Sequence, residues 1–102
     1  MGTLLNAICN NCGFARGNID FGSGMRERIP HVPAIQKDTG AFVVVELSDD
    51  PNLRFYHNTE MYKEPIEDYG IQYMNISLNP TSNICPSCQE YAMEFVEIGN
   101  FD

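Results

Sequence analysis

The chain has 102 residues, 43% of them hydrophobic, and contains no tryptophan. Its 14 acidic and six basic side chains give a net charge of −8, which disfavours stand-alone nucleic-acid binding, because such binding depends on neutralising phosphates. The length is typical of a single domain, here expected to span residues 1–102, with a thin core that a metal or covalent cross-link would strengthen.

The first predicted elements surround a pair of cysteines. Residues 3–8 form a short apolar run that predicts a strand, and Cys9 and Cys12 follow it. Residues 13–24 contain four glycines and predict a return strand that ends in a turn. Residues 26–37 include Pro30 and Pro33, which favour an extended connector over a helix.

The middle of the chain, about residues 38–80, is expected to form an inserted β unit. Residues 41–47 and 53–57 predict two strands joined as a hairpin through the turn-forming residues 48–52. Residues 59–64 predict one helical turn before Pro65. Alternating apolar residues over 71–78 predict one further strand.

The last elements surround a second pair of cysteines, Cys85 and Cys88, which a predicted final strand at 91–98 follows. The charges are also unevenly placed: residues 1–37 carry four basic and two acidic side chains, whereas residues 64–102 carry seven acidic and no basic ones. Pairing of the two ends would therefore bring opposite charges together.

The cysteines carry the strongest chemical signal. Both pairs have the C-x-x-C spacing, which lets the backbone turn tightly and direct two sulfurs and nearby amide hydrogens to one point. Such hydrogen bonds favour thiolate over thiol and hence metal binding. Cys9, Cys12, Cys85 and Cys88 are therefore predicted to bind one metal ion tetrahedrally.

The segment Cys9-Asn10-Asn11-Cys12-Gly13-Phe14 resembles the first metal knuckle of rubredoxin and zinc-ribbon proteins, and Cys85-Pro86-Ser87-Cys88 resembles the second, with Phe95 as an apolar anchor. The segment from Cys9 to Arg26 also resembles small bacterial zinc-ribbon proteins. The resemblance implies a small, mainly β, metal-bound domain: a zinc-ribbon or rubredoxin-like knuckle pair with an inserted antiparallel β-hairpin. Gln89 stands where the second knuckle usually has glycine, which predicts a different kind of turn there.

The identity of the metal is open between zinc and iron. Zinc is favoured because it is the usual occupant of structural four-cysteine sites. Two disulfides or two redox-active pairs are the alternatives, but a disulfide framework needs an oxidising compartment, and a redox pair is expected beside a βαβ pattern that is not visible here. No secretion signal or long apolar segment is evident, so a cytoplasmic location is expected.

Other candidate sites are weaker. His31 and His57 could act as ligands or bases, but four cysteines already complete a tetrahedral site. The aromatic residues of the middle segment favour core packing over a stacking platform, because few basic residues accompany them.

No catalytic motif is recognised in the sequence, and a metal held by four cysteines has no open position for water. The function expected is that of a non-enzymatic structural zinc module that binds another protein, with a rubredoxin-like iron electron carrier as the alternative. If the partner complex contains phosphate, Arg16, Arg26 and Arg28 are the predicted contact residues.

Overall fold

The computed structural model describes residues 2–22, 29–63, 71–73 and 76–101. Their structure is mainly β, and all strand pairs are antiparallel. In chain order the strands are β1 (Gly2–Cys9), β2 (Ala15–Gly22), β3 (His31–Gln36), β4 (Phe42–Glu46), β5 (Leu53–Phe55), β6 (Ile71–Tyr73), β7 (Ile76–Leu78) and β8 (Met93–Phe101). The main sheet has the order β4-β3-β2-β1-β8, with β5 also paired to β3, and β6 and β7 form a separate ribbon.

The two ends of the chain lie side by side. β1 pairs with β8 from Gly2 opposite Phe101 to Cys9 opposite Met93. β1 carries no charged side chain, so this pairing does not itself place basic residues against the acidic end. The inward face of this part of the sheet carries buried apolar side chains, among them Leu5, Ala7 and Phe95. Burial of this face stabilises the pairing of the two strand ends that adjoin the knuckles, the end of β1 at Cys9 and the start of β8 at Met93.

The predicted extended connector at 26–37 is only partly correct, because residues 31–36 form β3, an interior strand of the sheet. Pro33 is tolerated there for a geometric reason. Its carbonyl accepts a hydrogen bond from the Tyr56 amide on the β5 side, so its ring nitrogen faces the same side. That nitrogen lies between the last partner of β2 and the first partner of β5, where the ladder requires no donor.

The predicted hairpin between the strands at 41–47 and 53–57 is wrong. β4 and β5 both pair with β3, on its opposite sides, and residues 48–52 carry the chain across. The hairpin that forms is β3–β4, whose turn is closed by the Gly40 amide donating to the Gln36 carbonyl. β3 carries four consecutive buried residues, so it is covered on both faces and is flanked by strands on both sides.

Residues 71–78 do not form the single strand that their alternation predicts. They form β6 and β7, which pair with Ile71 opposite Leu78. Ile71 and Leu78 would face opposite sides of one continuous strand, whereas in the hairpin they face the same side, and both are buried. The predicted helical turn at 59–64 is a 3₁₀ turn over Thr59–Met61. No helix within the described ranges is long and apolar enough to cross a membrane.

Candidate metal centre

The first knuckle is the tip of the β1–β2 hairpin. Cys9 is the last residue of β1, and its amide donates to the Phe14 carbonyl at 2.8 Å. The Gly13 amide returns to the Cys9 carbonyl at 3.3 Å. Gly13 has φ 81°, in the left-handed region where glycine is the least strained residue.

The second knuckle repeats this backbone geometry at the tip of a loop. Two hydrogen bonds between Asn83 and Met93 close the loop at its base. Within it the Cys85 amide donates to the Glu90 carbonyl and the Gln89 amide to the Cys85 carbonyl, each at 2.9 Å. The expectation of a different turn is wrong, because Gln89 has φ 61° and takes the conformation that Gly13 has in the first knuckle.

Both knuckles direct backbone amides at sulfur, as their spacing predicts. The amides of Asn11 and Cys12 approach the Cys9 sulfur at 3.4 and 3.5 Å, and the Ser87 amide approaches the Cys85 sulfur at 3.4 Å. Amide donors lower the free energy of thiolate relative to thiol. Each knuckle therefore carries backbone donors that support a negatively charged first cysteine.

The four sulfur atoms meet at one point. All four lie within 4.8 Å of one another, and the shortest distances cross between the knuckles: 3.7 Å from Cys9 to Cys88 and 3.6 Å from Cys12 to Cys85. These separations are too long for disulfide bonds, which measure about 2.0 Å. They are close to the roughly 3.8 Å edge of a tetrahedron with metal–sulfur bonds of about 2.3 Å. The predicted clustering is confirmed, and the donor set fits a metal ion.

Strand pairing holds the knuckles against each other. The Asn10 amide of the first knuckle donates to the Ala92 carbonyl, just beyond the second, at 2.9 Å. Next to this contact, Cys9 pairs with Met93 in the β1–β8 ladder. The sulfurs are therefore brought together by the sheet itself, in addition to any bound ion.

The four thiols have different environments. Cys9 and Cys85 are buried, Cys88 is half-buried and Cys12 is exposed. Without a cation, burial raises the pKa of the Cys85 thiol. The pKa of Cys88 is instead lowered, chiefly by a hydrogen bond from the Asn11 side chain. A Cys85 thiolate in this buried position requires a compensating positive charge, which a divalent metal supplies.

An aromatic cluster supports the second knuckle from beneath. The Tyr56 hydroxyl donates to the carbonyl of Ile84, the residue before Cys85, at 2.7 Å. Its ring meets Phe95 edge-on at 5.2 Å between centroids and tilts against Phe42 at 5.7 Å. Tyr56 is fully buried, and this burial raises its pKa. The role of Phe95 as an apolar anchor is thus confirmed, with Tyr56 as its partner.

The remaining sequence candidates that the structure describes are not part of the sulfur cluster. Arg16 is exposed on β2, opposite Ala7 of β1, while Arg26 and Arg28 fall outside the described residues. His31 lies in β3 and His57 follows β5. Over the ranges that the structure describes, the four cysteines form the only metal-binding cluster of three or more such side chains.

Sequence reasoning missed the supporting residues Asn11 and Tyr56. Asn11 lies inside a C-x-x-C motif, which identified it as part of the knuckle without indicating that its side chain reaches Cys88. Tyr56 is 28 residues from Ile84, and no local pattern connects the two.

Comparisons with known proteins add no family. No protein-family model matches the chain, and neither the curated proteins nor the solved structures include a significant match. The interpretation of the site therefore depends on the cysteine motifs and their geometry.

Proposed function

We propose that Cys9, Cys12, Cys85 and Cys88 bind one Zn²⁺ ion with a structural role, in a zinc-ribbon-like, non-enzymatic module that binds another protein. The observation that carries this proposal is that four sulfur atoms, from two knuckles far apart in sequence, lie within 4.8 Å of one another. Four thiolates satisfy the tetrahedral preference of zinc and leave no position for a reactive water, which supports a structural role. Cysteines that bind a metal and form no disulfides fit a reducing compartment such as the cytoplasm.

The metal would act as a cross-link between the ends of the chain. Joining positions 73 and 79 residues apart removes about 4 kcal/mol of unfolded-state entropy, on the estimate used for covalent cross-links. Structural zinc sites in small domains bind with roughly 10 to 16 kcal/mol, which is comparable to the whole stability of a domain. Loss of the ion should therefore unfold or severely loosen the region around the knuckles.

A protein partner is supported by the outer face of the β1–β8 pair. Ile8 of β1 and Val96 of β8 are 42% and 44% exposed, and their register makes them diagonal neighbours on that face. Exposed apolar side chains that lie together favour contact with another protein more than isolated ones do. The net charge of −8 favours a protein over nucleic acid as the main partner.

An iron-containing electron carrier is the second candidate. The observation that favours it is the exposure of Cys12, because a sulfur ligand at the surface gives electrons a short path to a partner. The two candidates use the same four sulfurs and differ in the metal, so a single set of measurements separates them.

The test is metal analysis of the purified full chain, combined with cobalt substitution and thermal unfolding. One zinc per chain, the absorption of tetrahedral thiolate-bound Co²⁺ and a large loss of stability after chelation are expected. A red, iron-containing protein would support the electron carrier. An unchanged circular dichroism melt after complete removal of the metal would contradict a structural role.

A phosphate-containing partner complex would use the predicted basic residues Arg16, Arg26 and Arg28. A fluorescent oligonucleotide at low salt, offered to the wild type and to the Arg16→Ala variant, tests this part of the proposal. Weaker binding by the variant is expected if Arg16 contacts phosphate, and equal binding removes Arg16 from the proposed contact.

A further inference from the structure

A cleft of about 270 Å³ lies between the β3–β4 turn and the second knuckle. Ile35, Gln36, Lys37 and Gly40 form one wall, and Ile84, Cys85, Pro86 and Gln89 form the other, with Arg54 of β5 beside them. The cleft is open on one side and is about the size needed for one or two side chains of a ligand. The knuckle wall is built from the segment that holds Cys85, so the cleft and the metal centre share their structure.

The two basic side chains that line this cleft are opposite in sign to the net charge of the whole chain. Lys37 and Arg54 line it, and no carboxylate does so among the described residues. The chain has 14 acidic and only six basic side chains, so two lining cations without a lining acid form a local exception. Lys37 and Arg54 give their side of the cleft a positive charge that attracts a negatively charged ligand, whereas Cys85 on the knuckle wall would be a metal-bound thiolate and would not attract an anion.

Two carboxylates adjoin these cations, Asp38 next to Lys37 in sequence and Glu60 close to Arg54 in space. Asp38 follows Lys37 in the turn, but its carboxylate accepts a hydrogen bond from the Asn52 side chain at 3.1 Å. Glu60 lies 3.8 Å from the Nε atom of Arg54, and both side chains are substantially exposed. Such an exposed ion pair is weak, and a guanidinium has further N–H donors for a second carboxylate.

The inner surface of the cleft is apolar and requires an apolar group on the ligand. Ile35 is buried, and Ile84 and Pro86 are partly buried, so the walls offer aliphatic surface below the two cations. An apolar side chain with acidic neighbours would match this arrangement: its hydrocarbon part fills the cleft and its neighbours meet Lys37 and Arg54. Nucleic acid is a poor match, because phosphates alone would leave the apolar walls without a partner.

We propose that this cleft binds an acidic segment of a partner protein, placing one apolar side chain between the β3–β4 turn and the second knuckle. The inference rests on the proposed function, because the knuckle wall takes its shape from the metal centre. It specifies the partner chemistry: acidic residues flanking an apolar one, recognised by Lys37 and Arg54.

The test uses the zinc-loaded full chain and two pools of fluorescein-labelled nonapeptides. Both pools have a randomised apolar residue at the centre; the flanking positions are glutamate in one pool and glutamine in the other. Fluorescence anisotropy should show at least tenfold tighter binding of the glutamate pool, weakening as salt is added. Arg54→Gln and Lys37→Gln should each weaken binding about fivefold, whereas Lys63→Gln, an exposed cation outside the cleft, should leave it unchanged.

The most discriminating variant is one that should bind the peptides more tightly than the wild type does. Glu60→Gln removes the carboxylate that competes for Arg54, so it should tighten binding of the glutamate pool a few-fold. Equal binding of the two pools, no measurable binding, or full binding by the Arg54→Gln and Lys37→Gln double variant would each overturn the inference. Displacement of the peptides by millimolar inorganic phosphate would overturn it in favour of a simple anion site.

Failure of this inference is distinguishable from failure of the proposed function. The same variants are measured for cobalt absorption and for thermal unfolding with and without chelator. Normal metal binding together with absent peptide binding overturns the cleft proposal alone, whereas absent metal binding overturns the proposed function.

Discussion

The two knuckles have the same backbone hydrogen bonds but different sequences and different supports. In the first, Gly13 occupies the left-handed position, and the turn is held directly by β1 and β2. In the second, Gln89 occupies that position, and the turn is held by the Asn83–Met93 pair and by the Tyr56 hydroxyl. Tertiary contacts thus impose on glutamine a conformation that the first knuckle obtains with glycine at lower cost.

The two cysteines within each knuckle also differ in how deeply they are buried. Within each knuckle the first cysteine, Cys9 or Cys85, is buried, and the second, Cys12 or Cys88, is more accessible. The first cysteine of each pair also accepts hydrogen bonds from backbone amides of its own knuckle, and of the second cysteines Cys88 has one from the Glu90 amide. A knuckle therefore has an inner, structurally fixed sulfur and an outer one near solvent, and substitutions of the two should differ in severity.

The largest effect is expected from Cys85→Ser compared with Cys12→Ser. Both variants lose one thiolate and should lose about 4 kcal/mol or more of stability with the cross-link. Cys85→Ser also places a hydroxyl in a fully buried position, which should cost about 1 to 3 kcal/mol more. Chemical denaturation with and without added zinc measures both terms. Equal stability of the two variants in the absence of metal would contradict the inner and outer division.

The next largest effect is expected from loss of the Tyr56 hydrogen bond, which supports only the second knuckle. Tyr56→Phe removes the donor to the partly buried Ile84 carbonyl and should destabilise the protein by about 1 to 2 kcal/mol. Hydrogen exchange should accelerate at the Gln89 amide more than at the Gly13 amide, because the variant loosens one knuckle. Tyr91→Phe, at an exposed tyrosine, is the matched control and should change neither. Equal acceleration at both amides would show that the knuckles move as one unit.

Substitutions at the two left-handed positions should change the stability of the protein in opposite directions. Gly13→Ala should destabilise by about 1 kcal/mol through φ alone, because a Cβ there meets no atom within 4 Å. Gln89→Gly relieves strain but increases the flexibility of the unfolded chain, so it should stabilise by at most about 0.5 kcal/mol. Thermal unfolding of both metal-loaded variants checks the signs. Destabilisation by Gln89→Gly would mean that the glutamine side chain contributes contacts that outweigh its strain.

The smallest effect is a pH dependence at His57, next to Tyr56. Burial lowers the pKa of His57, and its buried Nδ1 has no hydrogen-bond partner in the described part of the chain. The unfolded chain therefore binds a proton more readily, so stability is fully present above the ordinary histidine pKa of about 6.5 and declines as pH falls through the lower folded value. The partly exposed ring limits the effect to below about 1 kcal/mol.

His57→Gln should flatten the pH dependence of metal-loaded stability between pH 7 and 5. Acid also releases metal from thiolates, in the same direction, so the comparison is made at saturating zinc, where both proteins retain the ion. Identical slopes for wild type and variant would remove His57 as a contributor.

Sequence reasoning succeeded where the signal was local. The C-x-x-C spacing predicted the two turns and their sulfur-directed amides. The apolar runs predicted β1, β4, β5 and β8 to within a few residues, and the glycine-containing segment 13–24 predicted β2. The turn residues 48–52 were also correct: Asp50 accepts a hydrogen bond from the Asn52 amide at 2.9 Å. These features depend on interactions within a few residues, which composition and spacing encode directly.

Sequence reasoning failed where distant segments decide the outcome. The prolines concealed β3, because the position of a strand relative to its neighbours determines whether a proline can be accommodated. The pairing of β4 and β5 with β3 could not be read from their own sequences. Alternation over 71–78 predicted one strand, whereas β6 and β7 form a hairpin that places Ile71 opposite Leu78.

The sequence by itself determined that four cysteines in two matched motifs were available for one metal ion, and that the chain was acidic and β-rich. Only the tertiary structure decided that the sulfurs meet, that Gln89 adopts a glycine-like turn, and that Lys37 and Arg54 share a cleft with the second knuckle. The reason is physical. A knuckle is closed by hydrogen bonds within six residues, whereas the meeting of two knuckles depends on the β1–β8 ladder, which pairs residues from opposite ends of the chain.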